Sequence, residues 1–231
     1  MTEHARIRRG LTEFLIIVLG VGTALTADRF RKGFSDRALE REYSARLVDE
    51  LTKGRERIAY NHARVDSAVS AIDTLLNARD RTRDTATLIR LTVRAANYEY
   101  NPAGIVHDLT YRELLATGSL GLLRDLETRN AITTYYRLAY RAGEVAVETH
   151  ERTREFANLV RAATGESPSR LTDGRARLTD DDRNRLVTLF VSKEDMDDEL
   201  RLLRSRLIDR AVWNGRLLMG TDSLINTINA Q

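Results

Sequence analysis

The sequence contains no cysteine, which excludes a disulfide framework, a thiolate metal site and a cysteine nucleophile. Proline is nearly as scarce, since Pro102 and Pro168 are the two examples in 231 residues. Because proline interrupts helices, long helices can run unbroken through most of this chain. A composition rich in leucine, alanine, arginine and glutamate favours the same structure. These features predict an all-α fold.

Catalytic and cofactor motifs are also missing: there is no glycine-rich phosphate loop, no G-x-S-x-G and no H-E-x-x-H. The four histidines are His4, His62, His107 and His150. None has a second histidine at metal-ligand spacing on the same predicted helix. Acidic clusters at residues 180–182 and 195–198 open predicted helices, where carboxylates cap free N–H groups, and they lack the glycine and distal glutamate of a calcium loop. We therefore predict no enzymatic activity, no metal and no cofactor.

The net charge of +3 and the pI near 9.3 raise the question of nucleic-acid binding. Residues 1–35 carry six basic and three acidic side chains, while residues 36–231 carry 31 of each. A nucleic-acid-binding domain carries its positive charge on a face of the folded body. Because this body is neutral and the basic residues bracket an apolar segment, the charge indicates the lipid bilayer as a partner and argues against nucleic acid.

The apolar segment runs from Leu11 to about Ala27, and its last 14 residues carry no charge. It is shorter than the roughly 20 residues that cross a bilayer core, so a buried core helix and a cleaved signal peptide are alternatives. Flanking arginines and apolar residues on every face disfavour a core helix. Leu25 would occupy the −3 position of a signal peptide, where a small residue is needed. We predict an uncleaved transmembrane anchor at 11–28, followed by a bundle domain at 29–231.

Small residues lie along one face of the predicted anchor. Gly20, Ala24 and Ala27 are spaced four and three residues apart, with Thr23 beside them. Small residues at this spacing let a second helix approach closely, and a threonine hydroxyl can hydrogen-bond across the contact. The alternative is that this face has no packing role, because glycine is generally abundant in membrane helices. This face is the predicted site of helix packing in the membrane.

Three charged residues are predicted to lie at the membrane interfaces. Arg9 and Arg29 bracket the span and can extend toward the two headgroup layers, while Glu13 can pair with Arg9 one turn away. Three basic residues precede the span in the flank at 1–10, and five follow it within about 15 residues. The positive-inside rule then predicts an inner-membrane protein whose bundle lies in the cytoplasm. The net charge of the two flanks predicts the opposite orientation, because four acidic residues lower the net charge of the flank that follows the span.

The first of three long amphipathic helices follows the anchor. Apolar residues recur at helical spacing from Leu39 to Leu76, with Asp36 as the predicted N-cap and Arg79 near the end. This helix is about 65 Å long at 1.5 Å per residue, and Gly54 interrupts it only weakly.

Further short and long helices complete the predicted bundle. The signals are a capping-box pattern from Thr110 to Glu113, Gly118 as a C′ residue, and Gly165 with Pro168 as a stop. The predicted elements are a helix at 85–96, a loop at 101–104, a helix at 111–117, a turn at 119–124, a long helix from 126 to about 163, a flexible loop at about 166–178, a helix from 180 or 181 to 191, and a long helix from 192 toward 224. The fold class is thus an N-terminal transmembrane helix plus an all-α bundle of three long and several short helices.

Tyrosines are concentrated in the middle of the chain. They are Tyr98, Tyr100, Tyr111, Tyr135, Tyr136 and Tyr140. Packing in the core with hydroxyl groups at the surface accounts for them. A partner-binding patch is the alternative, because tyrosine is enriched at interface hot spots.

Several runs of the sequence occur together in a known pattern: 13–21, 24–25 and 28–30 near the N-terminus, then 111–118, 122–125 and the pair at 135–136. On these residues the first 140 positions or so resemble a family of bacterial single-pass membrane proteins of unknown function. In that family a glutamate-led apolar helix leads into a long amphipathic helix. The resemblance implies an anchor and a helical fold, and it supplies no activity. This sequence differs in having Gly22 and Thr23 where bulkier aliphatic residues are common.

The sequence predicts a structural or accessory subunit. Its anchor would dock on other integral-membrane proteins, and its bundle would brace a larger complex. Respiratory, secretion and photosynthetic reaction-centre–antenna assemblies are candidate hosts. The alternative is a ligand-sensing helical bundle, which would need a partner because no output domain and no second span are recognisable. An enzyme is a third hypothesis, and no motif supports it.

Overall fold

The computed structural model of the protein describes residues 3–77, 84–96, 107–172, 178–191 and 194–230. All secondary structure in these ranges is helical, so the predicted all-α class is confirmed. The elements are α1 (Glu3–Asn77), α2 (Thr85–Ala96), α3 (Leu109–Ala116), a 3-10 turn (Ser119–Leu122), α4 (Leu126–Thr164), α5 (Pro168–Thr172), α6 (Asp180–Val191) and α7 (Glu194–Asn229).

Helix α1 is one continuous helix of 75 residues, about 110 Å long at 1.5 Å per residue. The N-cap predicted at Asp36 is therefore wrong, because this residue lies in the interior of α1. No proline occurs before residue 102, and Gly54 alone does not end the helix. The predicted boundary between anchor and bundle at 28/29 is likewise not a helix end.

The predicted anchor at 11–28 lies in the N-terminal part of α1, but its side chains fall outside the described residues. In the part of the chain that the structure describes, no helix has the length and apolarity to cross a bilayer. The packing face and the interfacial anchors stay predictions for this reason. These residues are Arg9, Glu13, Gly20, Thr23, Ala24, Ala27 and Arg29.

Three long helices, α1, α4 and α7, form the body of the bundle, as predicted. Helix α7 runs antiparallel to α1, since Arg55 on α1 pairs with Asp222 at 2.5 Å and Asp73, further along α1, pairs with Arg204. It is also antiparallel to α4. Helices α1 and α4 therefore run in the same direction, with α7 against both.

The buried face of α7 has a strict alternation of three- and four-residue steps, the pattern of helices that pack side by side in coiled coils. We call this row the α7 seam. It consists of Met196, Leu200, Leu203, Leu207, Arg210, Asn214, Leu217, Thr221, Leu224 and Ile228. Three polar side chains, at positions 210, 214 and 221, thus lie in an otherwise apolar seam, and each is fully buried.

Several element boundaries agree with the predictions. Helix α2 has the predicted bounds, and α4 ends at Thr164 with Gly165 as its C-cap, whose φ of 71° suits glycine. Gly118, with φ of 67°, follows the end of α3 as predicted. Helix α7 ends at Asn229, five residues beyond Leu224.

Two elements correct the predictions. The segment predicted as a flexible loop contains helix α5, which begins at Pro168, because proline suits the first position of a helix. Helix α6 is capped by Thr179 and not by Asp180 or Asp181. The Asp182 carboxylate accepts hydrogen bonds from the Thr179 N–H (2.9 Å) and hydroxyl (2.6 Å), while the Thr179 hydroxyl accepts from the Asp182 N–H (3.2 Å). The loop predicted at 101–104 and residues 173–177 lie outside the described residues.

Candidate functional site

The end of the bundle nearest the N-terminal part of α1 is built by α3, the 3-10 turn and the first turn of α4. Residues 40–50 of α1 hold α3 and the segment that follows the 3-10 turn. We call this end the base. Glu113 on α3 accepts hydrogen bonds from the hydroxyl of Tyr43 (3.1 Å) and from the guanidinium of Arg46. The Arg46 guanidinium, and after it the Tyr43 hydroxyl, holds the pKa of the Glu113 carboxyl below its ordinary value.

Two further carboxylates of α1 complete the attachment of the base. Glu50 accepts from the Thr110 N–H at 3.0 Å and from the Thr110 hydroxyl at 2.5 Å. Glu40 accepts from the Arg124 N–H at 2.7 Å. The capping box predicted within α3 is therefore wrong, because Thr110 and Glu113 both bind α1. Contacts at residues 40, 46 and 50 fix the base along about 15 Å of α1.

Four of the six tyrosines meet beside the base. The rings of Tyr111 and Tyr136 are stacked, with centroids 4.1 Å apart and planes at 5°, and Tyr135 meets Tyr136 edge-on at 5.2 Å. Tyr136 donates to the carbonyl of His107 at 3.3 Å, and burial raises the pKa of its hydroxyl. This cluster joins α3 to α4 through the core.

Three of the six tyrosines are buried in the core, as the packing interpretation of the sequence predicts, which leaves them unavailable to a partner patch. Tyr111, Tyr135 and Tyr136 are 6%, 8% and 0% exposed, so they have too little surface to bind a partner. Tyr140 is exposed and donates to the Asp108 carboxylate at 2.9 Å; partial burial and this carboxylate raise its pKa to about 12. Tyr98 and Tyr100 lie outside the described residues.

The polar part of the α7 seam lies opposite α4. The buried Arg210 donates to the carbonyl of Ala142 at 2.7 Å, across the contact between the two helices. Asn214, one turn further along α7, is fully buried, and neither Oδ1 nor Nδ2 has a hydrogen-bond partner in the described ranges. The Thr221 hydroxyl lies 3.0 Å from that of Tyr135.

The surface of the base carries exposed leucines. Leu39, Leu115 and Leu126 are 38%, 51% and 61% exposed, on α1, α3 and α4 respectively. Helical spacing of apolar residues predicts a core position for Leu39 on the first long helix and for Leu126 and Val147 on the second. The structure corrects all three, since each is exposed. The two leucines lie at the end of the bundle, where no described helix covers them.

Sequence reasoning missed the residues that build these sites. Arg46 binds Glu113 across 67 positions of the sequence, and Glu50 binds Thr110 across 60, so a local pattern does not reveal these contacts. The sequence did contain a signal for Arg210 and Asn214, because the three- and four-residue spacing of the α7 seam includes both positions. Over the described residues no three His, Asp or Glu side chains lie close enough to hold a metal ion. The acidic cluster at 180–182 lies at the start of α6, as predicted.

Comparisons with protein-family models, with curated proteins and with solved structures each found no match. The family resemblance described above therefore depends on the residues quoted for it.

Proposed function

We propose that the protein is a non-enzymatic, membrane-anchored structural subunit of a larger integral-membrane assembly. Residues 11–28 would dock among the membrane helices of its partners, and the bundle would brace the extramembrane part. Respiratory, secretion and photosynthetic reaction-centre–antenna assemblies stay the candidate hosts.

The observation that carries the proposal is the continuity of α1. A single helix joins the apolar segment to the body of the bundle, so no loop separates the two parts. Neighbouring turns of a helix are linked by backbone hydrogen bonds, and such an element resists bending far more than a linker does. This is the connection expected of a brace.

The attachment of α1 to the rest of the bundle supports the same function. Near the base, Arg46 and Glu50 connect α1 to α3. Further along, the ion pairs made by Arg55 and Asp73 connect it to α7. Each exposed ion pair contributes little free energy, but contacts distributed along α1 from Glu40 to Asp73 prevent it from moving independently of the body.

The second candidate is a ligand-sensing bundle that acts through a partner, and the buried polar residues of the α7 seam favour it. Asn214 has donor and acceptor atoms that no described residue satisfies, and polar groups of this kind can receive a ligand. Exposing the purified protein to a library of small polar metabolites tests this candidate. A reproducible rise in melting temperature that disappears in Asn214→Leu would favour sensing over bracing.

The location proposed for the subunit is the inner membrane, with the bundle on the cytoplasmic side. Adding protease to sealed spheroplasts tests the orientation. The bundle should resist digestion until the membrane is opened, and digestion from outside would reverse the orientation.

The anchor itself is tested by washing membranes and by one substitution. We expect the full-length protein to resist extraction by carbonate, because an apolar helix and not charge retains it. Gly20→Leu should stay in the membrane but lose its co-purifying partners, because the larger side chain holds the two helices apart. Val18→Leu, about 160° around the helix, is the matched control and should retain them.

Extraction of the unmodified protein by carbonate would disprove the span. Unchanged co-purification of Gly20→Leu would instead show that the bundle makes the contact.

A further inference from the structure

Two ion pairs fix the register of α7 against α1. Arg55 pairs with Asp222 at 2.5 Å, and Asp73 pairs with Arg204. The pairs are separated by 18 residues on each helix, from 55 to 73 on α1 and from 222 to 204 on α7. Between them, the two antiparallel helices therefore stay level residue by residue.

His62 on α1 and Gly215 on α7 lie at the same level of this contact. Each is seven residues from the first ion pair and 11 residues from the second, at 55 and 73 on α1 and at 222 and 204 on α7. Steps of seven and 11 residues return to within about 20° of the same direction on an α-helix. His62 and Gly215 therefore face each other, and a Cβ placed at Gly215 would meet no atom within 4 Å.

Two polar groups without partners in the described ranges lie at this level. Nδ1 of His62 is buried and makes no hydrogen bond there, although 33% of the side-chain surface is exposed. Asn214, immediately before Gly215, is fully buried, and its Oδ1 and Nδ2 likewise have no partner there. Buried polar groups in native proteins almost always have a hydrogen-bond partner, and the exceptions need an explanation. A bound molecule supplies one.

The hydrogen-bonding capacity of these two groups defines the ligand. The Asp66 carboxylate lies 3.9 Å from Nε2 of His62 and favours the tautomer with the proton on Nε2, which leaves Nδ1 as an acceptor. Asn214 adds one acceptor, Oδ1, and the N–H donors of Nδ2. An anion has only acceptors and would meet the lone pairs of Nδ1 and Oδ1, while an ammonium ion would leave the Asn214 N–H groups unpaired. The complementary group has two donors and one acceptor, as a primary carboxamide does.

We propose that His62, Asn214 and Gly215 form a binding site between α1 and α7 for a small uncharged molecule with a primary carboxamide group. Its N–H groups donate to Nδ1 of His62 and to Oδ1 of Asn214, and its oxygen accepts from Nδ2 of Asn214. The partly exposed side chain of His62 provides an entry from solvent. This inference rests on the sensing candidate, whose site and ligand class it specifies, and it does not depend on the anchor.

The test titrates the full-length protein in mild detergent with three molecules of the same size and follows the histidine imidazole signals by NMR. Acetamide carries the carboxamide, acetone lacks its N–H donors, and acetate replaces them with a negative charge. Acetamide should shift the His62 signal to saturation, with a dissociation constant in the millimolar range that suits so small a ligand. Acetone and acetate should not. His150, whose Nδ1 is also buried without a described partner, is the control in the same spectrum and should not shift.

Two substitutions test the site itself. Asn214→Leu removes the polar atoms and Gly215→Ala fills the open space, and each should weaken acetamide binding about tenfold or more, the effect expected for losing one or two hydrogen bonds. Both variants should fold, because leucine has the shape of asparagine and the new Cβ at 215 meets no atom; their melting temperatures check this. Gly143→Ala, on α4 and equally open, is the matched control and should bind acetamide normally.

The outcomes separate this site from the proposed bracing role. A shift at His62 that is lost in both variants and retained in Gly143→Ala supports the site. An equal shift with acetone, an equal shift at His150, or unchanged binding by either variant would overturn it. So would the absence of a saturable shift, the result expected if water alone satisfies the two groups. None of these results bears on the anchor, which the carbonate wash tests. A metabolite without a carboxamide that raises the melting temperature through Asn214 would keep the sensing candidate and exclude this ligand class.

Discussion

Asn214 offers a direct test of the energetics of the α7 seam. Its side chain is fully buried in the α7 seam, one turn from the buried Arg210, and neither polar atom bonds to a described residue. Leucine has the same number of side-chain heavy atoms, branched at the same carbon, and no polar atoms. Replacing Asn214 with leucine should therefore stabilise the bundle, although it changes a buried residue.

The magnitude follows from the cost of burying an amide without partners. Mutational data place this cost at about 1–3 kcal/mol, and leucine removes it while adding apolar burial. For a bundle of about 200 residues, an increase of about 2 kcal/mol in the free energy of unfolding corresponds to a rise of about 4–8 °C in melting temperature. Leu217→Asn, at the next position of the seam and equally buried, should instead cost at least about 2–5 kcal/mol.

The assay is thermal unfolding of the full-length protein in mild detergent, followed by circular dichroism at 222 nm. Asn214→Leu should melt above the unmodified protein and Leu217→Asn below it. A fall in melting temperature for Asn214→Leu would refute the reasoning, because it would show that the amide makes hydrogen bonds that stabilise the fold.

Two further predictions concern conformation and pH. Alanine should have opposite effects on stability at two glycines with open space around them. Gly118→Ala places a side chain in the left-handed region and should lower the free energy of unfolding by about 1–2 kcal/mol. Gly143→Ala, in the middle of α4, should raise it by about 0.5–1 kcal/mol. Urea unfolding of both variants checks this, and equal effects would contradict it. Hydrogen bonds from the Thr179 hydroxyl and N–H, together with Arg185, lower the pKa of Asp182 to about 2. Because this pKa is depressed, the carboxylate stabilises the fold fully above its unfolded pKa of about 4, and the contribution disappears as the pH falls toward 2. The difference in urea midpoint between the unmodified protein and Asp182→Ala should shrink over that interval, and a constant difference would exclude the capping role.

Local signals in the sequence were sufficient for much of the helical framework. The bounds of α2 and the ends of α3 and α4 follow from apolar periodicity and from glycine at positions of positive φ. These features act within one or two turns, so the sequence alone contains them. The helix start predicted at Asp36 was wrong, because the residues before it are already helical. Aspartate is a good N-cap, but a capping residue does not by itself begin a new helix.

The candidate sites depend on contacts that a single sequence does not display. Thr110 and Glu113 have capping-box spacing, but partners on α1 bind both residues in place of the local box. Leu39 and Leu126 have the periodicity of core residues and are nevertheless exposed. Whether a periodic leucine is covered depends on how far the neighbouring helices extend, and this is a property of the tertiary structure.

The unbroken course of α1 also sets a rotational phase between its two ends. Each residue of an α-helix turns by about 100°, so Leu39, 19 residues after Gly20, lies about 100° around the axis and about 28 Å along it. Inserting one residue between them would rotate the whole bundle by about 100° relative to the N-terminal segment. The direction in which the base faces is therefore encoded in the number of residues between positions 20 and 39 as well as in their chemistry.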